Sequence, residues 1–341
     1  MMADQLTVGS LCTGYGGLDL ALKAHFNTRV IWTSEIDKHA SRVVKARYRA
    51  PNLGDLKLID WEAIEAPDII TAGYPCQPFS YAGGRNGTQD PRHIWPWIAE
   101  GIRHLRPRLA VMENVPGHLT KGFGEVIGTL AEMGYDATWG CVRASDAGAP
   151  HRRERVFIVA TDADGAGRQG RGRPVAAADG ERRSLTYCRG NPTLIGALKL
   201  LPTPRASDGA DATSHHRTWS STDYNMHNVA RQVVKDGVVS GRKGPVPAEA
   251  ATIWGEYLPA IERWEVVTGR KAPSPVLDTR LNPVFVEWMM GLRLGHVTAV
   301  GLARTQELKI LGNGVVWQQA ALALTHLLPI ALTHSRQRAS T

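Results

Sequence analysis

The sequence predicts an α/β protein built on a doubly wound, mostly parallel sheet, with a smaller irregular domain attached. Three observations carry this. Short apolar runs alternate with segments of helical apolar spacing through the first 162 residues; a glycine cluster joins the first run to the first helix; and near residue 163 the texture changes to a Gly/Arg/Ala-rich stretch, "DGAGRQGRGRPVAAADGERR". The runs "LTVGSLC", "RVIWTSE", "PDIITAGY", "RLAVMENV" and "RRERVFIVA" are rich in β-branched or apolar residues and bounded by Gly, Pro or charge, so they read as buried strands. Between them, "GLDLALKAHF", "DKHASRVVKARY", "IWPWIAEGIRHL" and "GEVIGTLAEMG" repeat apolar residues at helical spacing. Helical spacing returns in "NPVFVEWMMGL" and "VVWQQAALALTHLLPIAL". The expected domains are 1–162, 163–280 and 281–341, the last a C-terminal segment packing back on the first.

Bulk properties narrow the function. At 341 residues the chain is long for one core. We expect no membrane span, because no apolar stretch reads as long enough, and no signal peptide, because "MMADQLTVGS" lacks basic and apolar regions; this suits a soluble, cytoplasmic protein. The four cysteines, Cys12, Cys76, Cys141 and Cys188, are dispersed and form no CxxC, which argues against a zinc site or a disulfide framework. The net charge of +8 is uneven. Residues 1–162 carry 18 Lys+Arg against 18 Asp+Glu, residues 163–280 carry 17 against 12, and residues 281–341 carry 5 against 2. A neutral half joined to a basic module suits a polyanionic substrate.

The chemistry-bearing residues cluster at strand ends. In "CTGYGGLDLAL", Gly14, Gly16 and Gly17 open the first helix, and Glu35 closes the second strand. This arrangement fits a tight strand-to-helix turn and a dinucleotide site about equally. In a sheet of order 3-2-1-4-5, Cys76 in "GYPCQPFS" follows the fourth strand and Glu113 in "MENVP" ends the fifth. The glycine loop, Cys76 and Glu113 then converge on one crevice. Pro75 and Pro116 push the residues before them toward extended geometry as the chain leaves each strand. A lone cysteine is more often a small buried hydrophobe, but a loop position beside polar Gln77 and Ser80 favours a nucleophile. Arg153 and Arg155 alternate along the strand "RRERVFIVA", which would aim both guanidinium groups at one face.

In order, "CTGYGG", "SEID", "GYPCQPFS", "MENV", "PHRRERVFIVA", "LNPVFVEWMMG" and "LGNGVVWQQA" resemble the motif series of DNA (cytosine-5)-methyltransferases of bacterial or phage type. The resemblance covers about 1–162 and 281–325. It implies a Rossmann-like fold of the S-adenosyl-L-methionine-dependent methyltransferases, with S-adenosyl-L-methionine as cofactor and double-stranded DNA as substrate. A monomer is expected, with or without a companion restriction endonuclease. The resemblance further implies that Cys76 attacks C6 of a cytosine flipped out of the duplex, that Glu113 binds the ring's N3 and exocyclic amine, and that Arg153 and Arg155 contact the target base or adjacent backbone. It nominates Gly14, Gly16, Glu35, Asp55, Pro75 and Asn313 for the cofactor. On this reading 1–162 would be the catalytic and cofactor-binding domain, with Ser80 and Arg92 in the loop after Cys76 facing DNA. The unmatched segment 163–280 would be the target-recognition domain, where charge and position, not the motifs, nominate Arg168 and Arg171 in the basic stretch and Arg217 among His215, His216, Trp219 and Asn225.

The sequence departs from the family pattern at Cys12, where Phe is common; at His151, where Gln is usual; and at Trp317, where Pro or an aliphatic residue is frequent. An amino-methyltransferase would carry a (D/N/S)PP(Y/F) motif, and "NPVF" at Asn282 to Phe285 lacks the second proline. A tRNA cytosine-5 methyltransferase shares the chemistry, but the long unmatched segment favours DNA. A catalytically silent DNA-binding relative would have no need of a thiol at Cys76.

Overall fold

The computed structural model describes residues 5–75, 94–162, 198–209 and 254–338. The chain divides into two compact units, one of Met1–Val142, Glu154–Gly190 and Ala320–Thr341, the other of Arg143–Arg153 and Asn191–Gln319.

The first unit is built on a six-stranded sheet: β1 (Leu6–Leu11), β2 (Thr28–Ser34), β3 (Ile69–Gly73), β4 (Leu109–Asn114), β5 (Tyr135–Arg143) and β6 (Glu154–Asp162), in the order β2-β1-β3-β4-β6-β5. The pairs β1–β2, β1–β3 and β3–β4 are parallel and β4–β6 is antiparallel, so the sheet is mostly parallel and the expected fold class holds. All six residues of β4 are buried. A central strand covered on both faces shows a continuous apolar run rather than alternation, which is why "LAVMEN" was legible. The helices α1 (Gly17–Leu22), α2 (Lys38–Arg47), α3 (Trp95–Leu105) and α4 (Phe123–Glu132) fall in the four segments of helical spacing. On α3 the buried positions Trp95, Ile98, Ala99, Ile102 and Leu105 form one stripe, joining Trp32, Trp61, Ile70 and Met112 in the core.

The strand order departs from 3-2-1-4-5 in one respect. Beyond β2 the expected edge strand is reduced to a single parallel bridge, Thr33 with Asn52. The strand leading to Cys76 is therefore the third formed and the one ending at Glu113 the fourth. The edge strand β5 escaped the sequence reading because its residues are only half-buried, with Trp139 exposed, and make no apolar run.

The second unit holds α5 (Leu258–Thr268), a hairpin of β7 (Val276–Leu277) and β8 (Arg280–Leu281), α6 (Pro283–Met289) and α7 (Arg304–Asn313). Asp278 and Thr279 both have positive φ, as a two-residue hairpin turn requires. Trp254, Phe285 and Trp288 stack in sequence, and the Trp264 indole donates to the Trp288 carbonyl at 2.8 Å. Glu287, 1 % exposed, accepts the N–H groups of Gly295 (2.7 Å), Val297 (2.5 Å) and Thr298 (3.1 Å) and the Thr298 hydroxyl (3.0 Å). One carboxylate thereby folds the loop after α6.

The last helix, α8, spans Trp317–Arg338. Counted with α7, the segment Arg304–Leu332 is long and apolar enough by composition to cross a membrane, which corrects the expectation that no such stretch exists. Half of it is buried inside the protein, and the helix breaks at Gly314–Val316. The stripe Ala320, Ala323, Leu324, Leu327, Leu328 and Ala331 is that of a core helix. Its carbonyls are tied to the first unit: His25 Nε2 donates to Ala321 O at 2.9 Å and the Thr161 hydroxyl to Ala331 O at 3.3 Å.

Candidate active site

At the end of β1 the chain turns through left-handed backbone, with φ of 51° at Cys12, 59° at Gly14 and 84° at Gly16. Glycine enters this region without the steric penalty that a Cβ brings. A Cβ on Gly14 would meet nothing within 4 Å, so the loop leaves an open cradle there; one on Gly16 would lie 1.8 Å from the Tyr48 hydroxyl. Glu35 follows β2 directly. Its Oε2 accepts the Gly14 N–H and its Oε1 the Asp37 N–H, both at 2.8 Å. Asn52 grips the Glu35 backbone from both sides, accepting its N–H at 2.9 Å and donating to its carbonyl at 3.0 Å. Asp55 starts a short 3-10 turn by accepting the Lys57 N–H at 3.0 Å.

Burial pushes Glu35 above the usual carboxylate range, opposed by those two N–H groups. Burial, with the nearby Glu35 and Asp55 carboxylates, also holds the Cys12 thiol far above the usual thiol range. Cys12, Glu35 and Asp55 thus lie near one another past the ends of β1 and β2, and Cys12 stays a neutral thiol there.

Beneath the glycine turn lies a network that sequence reasoning missed. Asp19, 2 % exposed in the first turn of α1, accepts hydroxyls from Thr71 (2.7 Å), Ser10 (2.8 Å) and Tyr48 (3.3 Å). Its burial raises its pKa, against the pull of the three hydroxyls. The only signal in the sequence was a carboxylate inside an otherwise apolar helical stripe.

At the carboxyl ends of β3 and β4, register brings Gly73 beside Glu113. Across the antiparallel pair, Glu113 faces Phe157, so Arg155, two residues before Phe157, projects from the same face. Arg155 Nε lies 2.8 Å from Glu113 Oε1 in an ion pair whose side chains are 18 % and 9 % exposed. Tyr74 closes the floor. His118 Nδ1 lies 3.0 Å from the Lys121 carbonyl, which can only accept, so His118 Nε2 is the acceptor for the Tyr74 hydroxyl at 2.9 Å. Tyr74 also packs on Trp95, with ring centroids 6.0 Å apart. Asn114 Nδ2 donates to the Tyr74 carbonyl at 3.4 Å. The exposed Pro75 follows.

Arg153 is placed differently from expectation. Strand β6 begins at Glu154, and Arg153, with φ of 22°, belongs to the second unit, so the two arginines do not share a strand face. It is 4 % exposed and donates to the carbonyls of Pro204 (3.2 Å) and Gly314 (2.5 Å). In the same unit Asn313 ends α7, exposed. Two departures from the family pattern also find partners there. His151 Nε2 donates to the Met289 carbonyl at 3.1 Å, and the Trp317 indole to the Gly291 carbonyl at 2.7 Å.

Cys76, Ser80, Arg92, Arg168, Arg171 and Arg217 lie outside the described residues, as do His215, His216, Trp219 and Asn225. Among the described residues, no group of His, Cys, Asp and Glu could hold a metal ion.

The family model of the C-5 cytosine-specific DNA methylases matches residues 6–240, more than half of the chain. The chain belongs to this family. Among curated relatives, it is 31 % identical over 164 residues to the Type II methyltransferase M.DsaV of Dactylococcopsis salina, covering 47 % of this chain and 46 % of that one. It is 36 % identical over 157 residues to the Type II methyltransferase M1.ScrFI of Lactococcus lactis subsp. cremoris, covering 45 % and 40 %. The match thus spans about half the length of these relatives. The fold resembles a Spodoptera frugiperda DNMT2 variant, with a TM-score of 0.56 and 14 % identity over 96 % of this chain and 100 % of the other. It also resembles a putative DNA modification methyltransferase encoded within an E. coli prophage, with a TM-score of 0.52 and 18 % identity over 95 % and 99 %.

Proposed function

We propose that this C-5 cytosine methylase is a DNA (cytosine-5)-methyltransferase that uses S-adenosyl-L-methionine and acts through Cys76 on a cytosine flipped from double-stranded DNA. The observation that carries the reading is the Glu113 carboxylate, buried and oriented by Arg155 at the end of β4, beside the strand whose chain continues through Pro75 to Cys76.

The residues at the ends of β1 and β2 fit the cofactor. Gly14 leaves open space where a Cβ would stand, and the Glu35 carboxylate can accept from ribose hydroxyls in addition to the backbone N–H groups it holds. Gly14, Gly16, Glu35, Asp55, Pro75 and Asn313 are the proposed cofactor residues. When bound, S-adenosyl-L-methionine supplies an electrophilic methyl group.

In the proposed reaction the Cys76 thiolate bonds to C6 of the cytosine, and Glu113, taking up a proton from solvent as the base binds, donates it to N3 and accepts from the exocyclic amine, drawing electron density out of the ring. Carbon C5 becomes the nucleophile. Once C5 carries the methyl group that bound S-adenosyl-L-methionine would supply, a base such as water or hydroxide takes the C5 proton, and the freed electron pair re-forms the C5–C6 double bond as Cys76 leaves as the thiolate. Because C6 is shielded inside a stacked duplex, the base must leave the stack, and Arg155, fixed on Glu113, offers donors at the mouth of the site. The basic segment 163–280, with 17 Lys+Arg against 12 Asp+Glu, is the proposed DNA reader, with Arg168, Arg171 and Arg217 as contacts.

Bisulfite sequencing of DNA from a host expressing the full chain tests activity and target together. Wild type should leave 5-methylcytosine in one sequence context, and Cys76→Ala should leave none while still binding DNA. Duplex carrying 5-fluorocytosine at that target should trap wild type, but not Cys76→Ala, as a denaturation-resistant adduct. Methylation by Cys76→Ala would overturn the mechanism.

A further inference from the structure

We propose that Arg153 is a positioning residue, not a DNA contact: it holds the Asn313–Gly314 turn in shape for the cofactor and ties that turn to residues 203–204 within the proposed DNA-reading segment. The inference rests on the cofactor reading proposed above for Asn313.

Hydrogen bonds from several segments of the second unit converge on this one residue, whose carbonyl also accepts the Ala144 N–H at 3.2 Å. Its guanidinium donates through Nη1 to Pro204 O at 3.2 Å and through Nη2 to Gly314 O at 2.5 Å. Its N–H donates to the Thr203 hydroxyl at 3.1 Å, and its carbonyl accepts from Gln319 Nε2 at 2.7 Å. Residues 203–204, 314 and 319 are thereby fixed to one side chain and its backbone. A planar guanidinium suits two carbonyls that diverge from one point, whereas an ammonium is a single compact donor group.

The surroundings are built for the same purpose. Gly312 sits so tightly on the Arg205–Ala206 backbone that a Cβ there would lie 2.1 Å from Arg205 C, so α7 and residues 205–206 touch main chain to main chain. His151 bridges to Leu201 in parallel register, and Asp208 accepts the Arg205 N–H at 2.8 Å. Arg263 donates to the carbonyls of Gly148 (3.1 Å) and Ala149 (3.2 Å), anchoring the loop that presents Arg153. The left-handed φ of 22° at Arg153 is the backbone strain this placement demands. An arginine free to contact a phosphate needs neither burial nor two fixed carbonyl partners.

The test uses the full-length protein and S-adenosyl-L-homocysteine as probe, measured by calorimetry. Arg153→Met should raise its Kd about tenfold or more and raise the KM for S-adenosyl-L-methionine in parallel, while kcat at saturating cofactor stays within about threefold of wild type. Arg153→Lys, able to reach one carbonyl, should recover part of the loss. The slope of log DNA affinity against log salt should not change. An unchanged Kd together with a slope reduced by about one phosphate's worth would overturn the proposal and make Arg153 a DNA contact. Should Arg153→Met fail to fold, Thr203→Val and Gln319→Met each remove one tie to Arg153, and each should raise Kd by about threefold; an unchanged Kd in both would be equally fatal. Wild type that binds no S-adenosyl-L-homocysteine would sink the cofactor reading itself, whereas wild-type binding with unaltered variants sinks only the role of Arg153.

Discussion

Arg155 Nε and Glu113 Oε1, 2.8 Å apart across the antiparallel pair of β4 and β6, form a mostly buried ion pair at the end of the strand next to the one leading to Cys76. Breaking a pair of this kind from one side strands the other charge. Arg155→Met should therefore cost about 2–4 kcal/mol in denaturant unfolding, and the double variant Glu113→Gln/Arg155→Met should recover about half of it. Equal losses in the single and double variants would show that the two side chains do not act as a pair. Glu113→Gln alone breaks the same pair from the other side, so it should slow methyl transfer by about 10²–10⁴ and also lower the unfolding midpoint, while the protein still folds.

Gly16 has no room for a side chain: φ is 84° and the Tyr48 hydroxyl occupies the Cβ position. Gly16→Ala should cost about 1–2 kcal/mol from backbone conformation alone and should weaken S-adenosyl-L-homocysteine binding further through the displaced Tyr48 ring. Adding Tyr48→Ala should relieve the clash but not the backbone cost. Calorimetric Kd values for wild type, the single variant and the double variant separate the two effects, and wild-type affinity in Gly16→Ala would contradict this packing.

Asp19→Ala leaves Ser10, Thr71 and Tyr48 without their shared acceptor inside the core. The expected loss is about 2–4 kcal/mol, against about 1–2 for Asp19→Asn, which keeps one acceptor oxygen. Thermal unfolding of both variants checks the ranking.

Glu307, on α7, has its pKa raised to about 7 by burial and then by the Glu287 carboxylate. A folded-state pKa above the unfolded one means that the protonated form is favoured by folding. Its contribution is intact below about pH 4.5 and is lost as pH rises to about 7. Glu307→Gln should remove that decline, leaving the variant about 1–2 kcal/mol more stable than wild type at pH 8 and close to it at pH 4.5. Urea unfolding at both pH values decides it; parallel curves would show that Glu307 ionises freely in the fold.

The sequence by itself determined the alternation of strands and helices, the glycine turn, Glu35 at the end of the second strand and Glu113 at the end of its own. These features are local: a buried central strand is a short apolar run, a helix face is a 3.6-residue period, and a left-handed turn needs glycine. Tertiary structure alone decided which polar groups meet. Arg153 and Arg155 look equivalent in "HRRERV", yet the strand begins between them, leaving one on Glu113 and turning the other to Pro204 and Gly314. Asp19 finds Thr71 from 52 residues away, and the expected edge strand shrinks to the bridge between Thr33 and Asn52. Hydrogen-bond partners and strand edges depend on segments that approach only once the chain has folded, and no local period in the sequence records those distances.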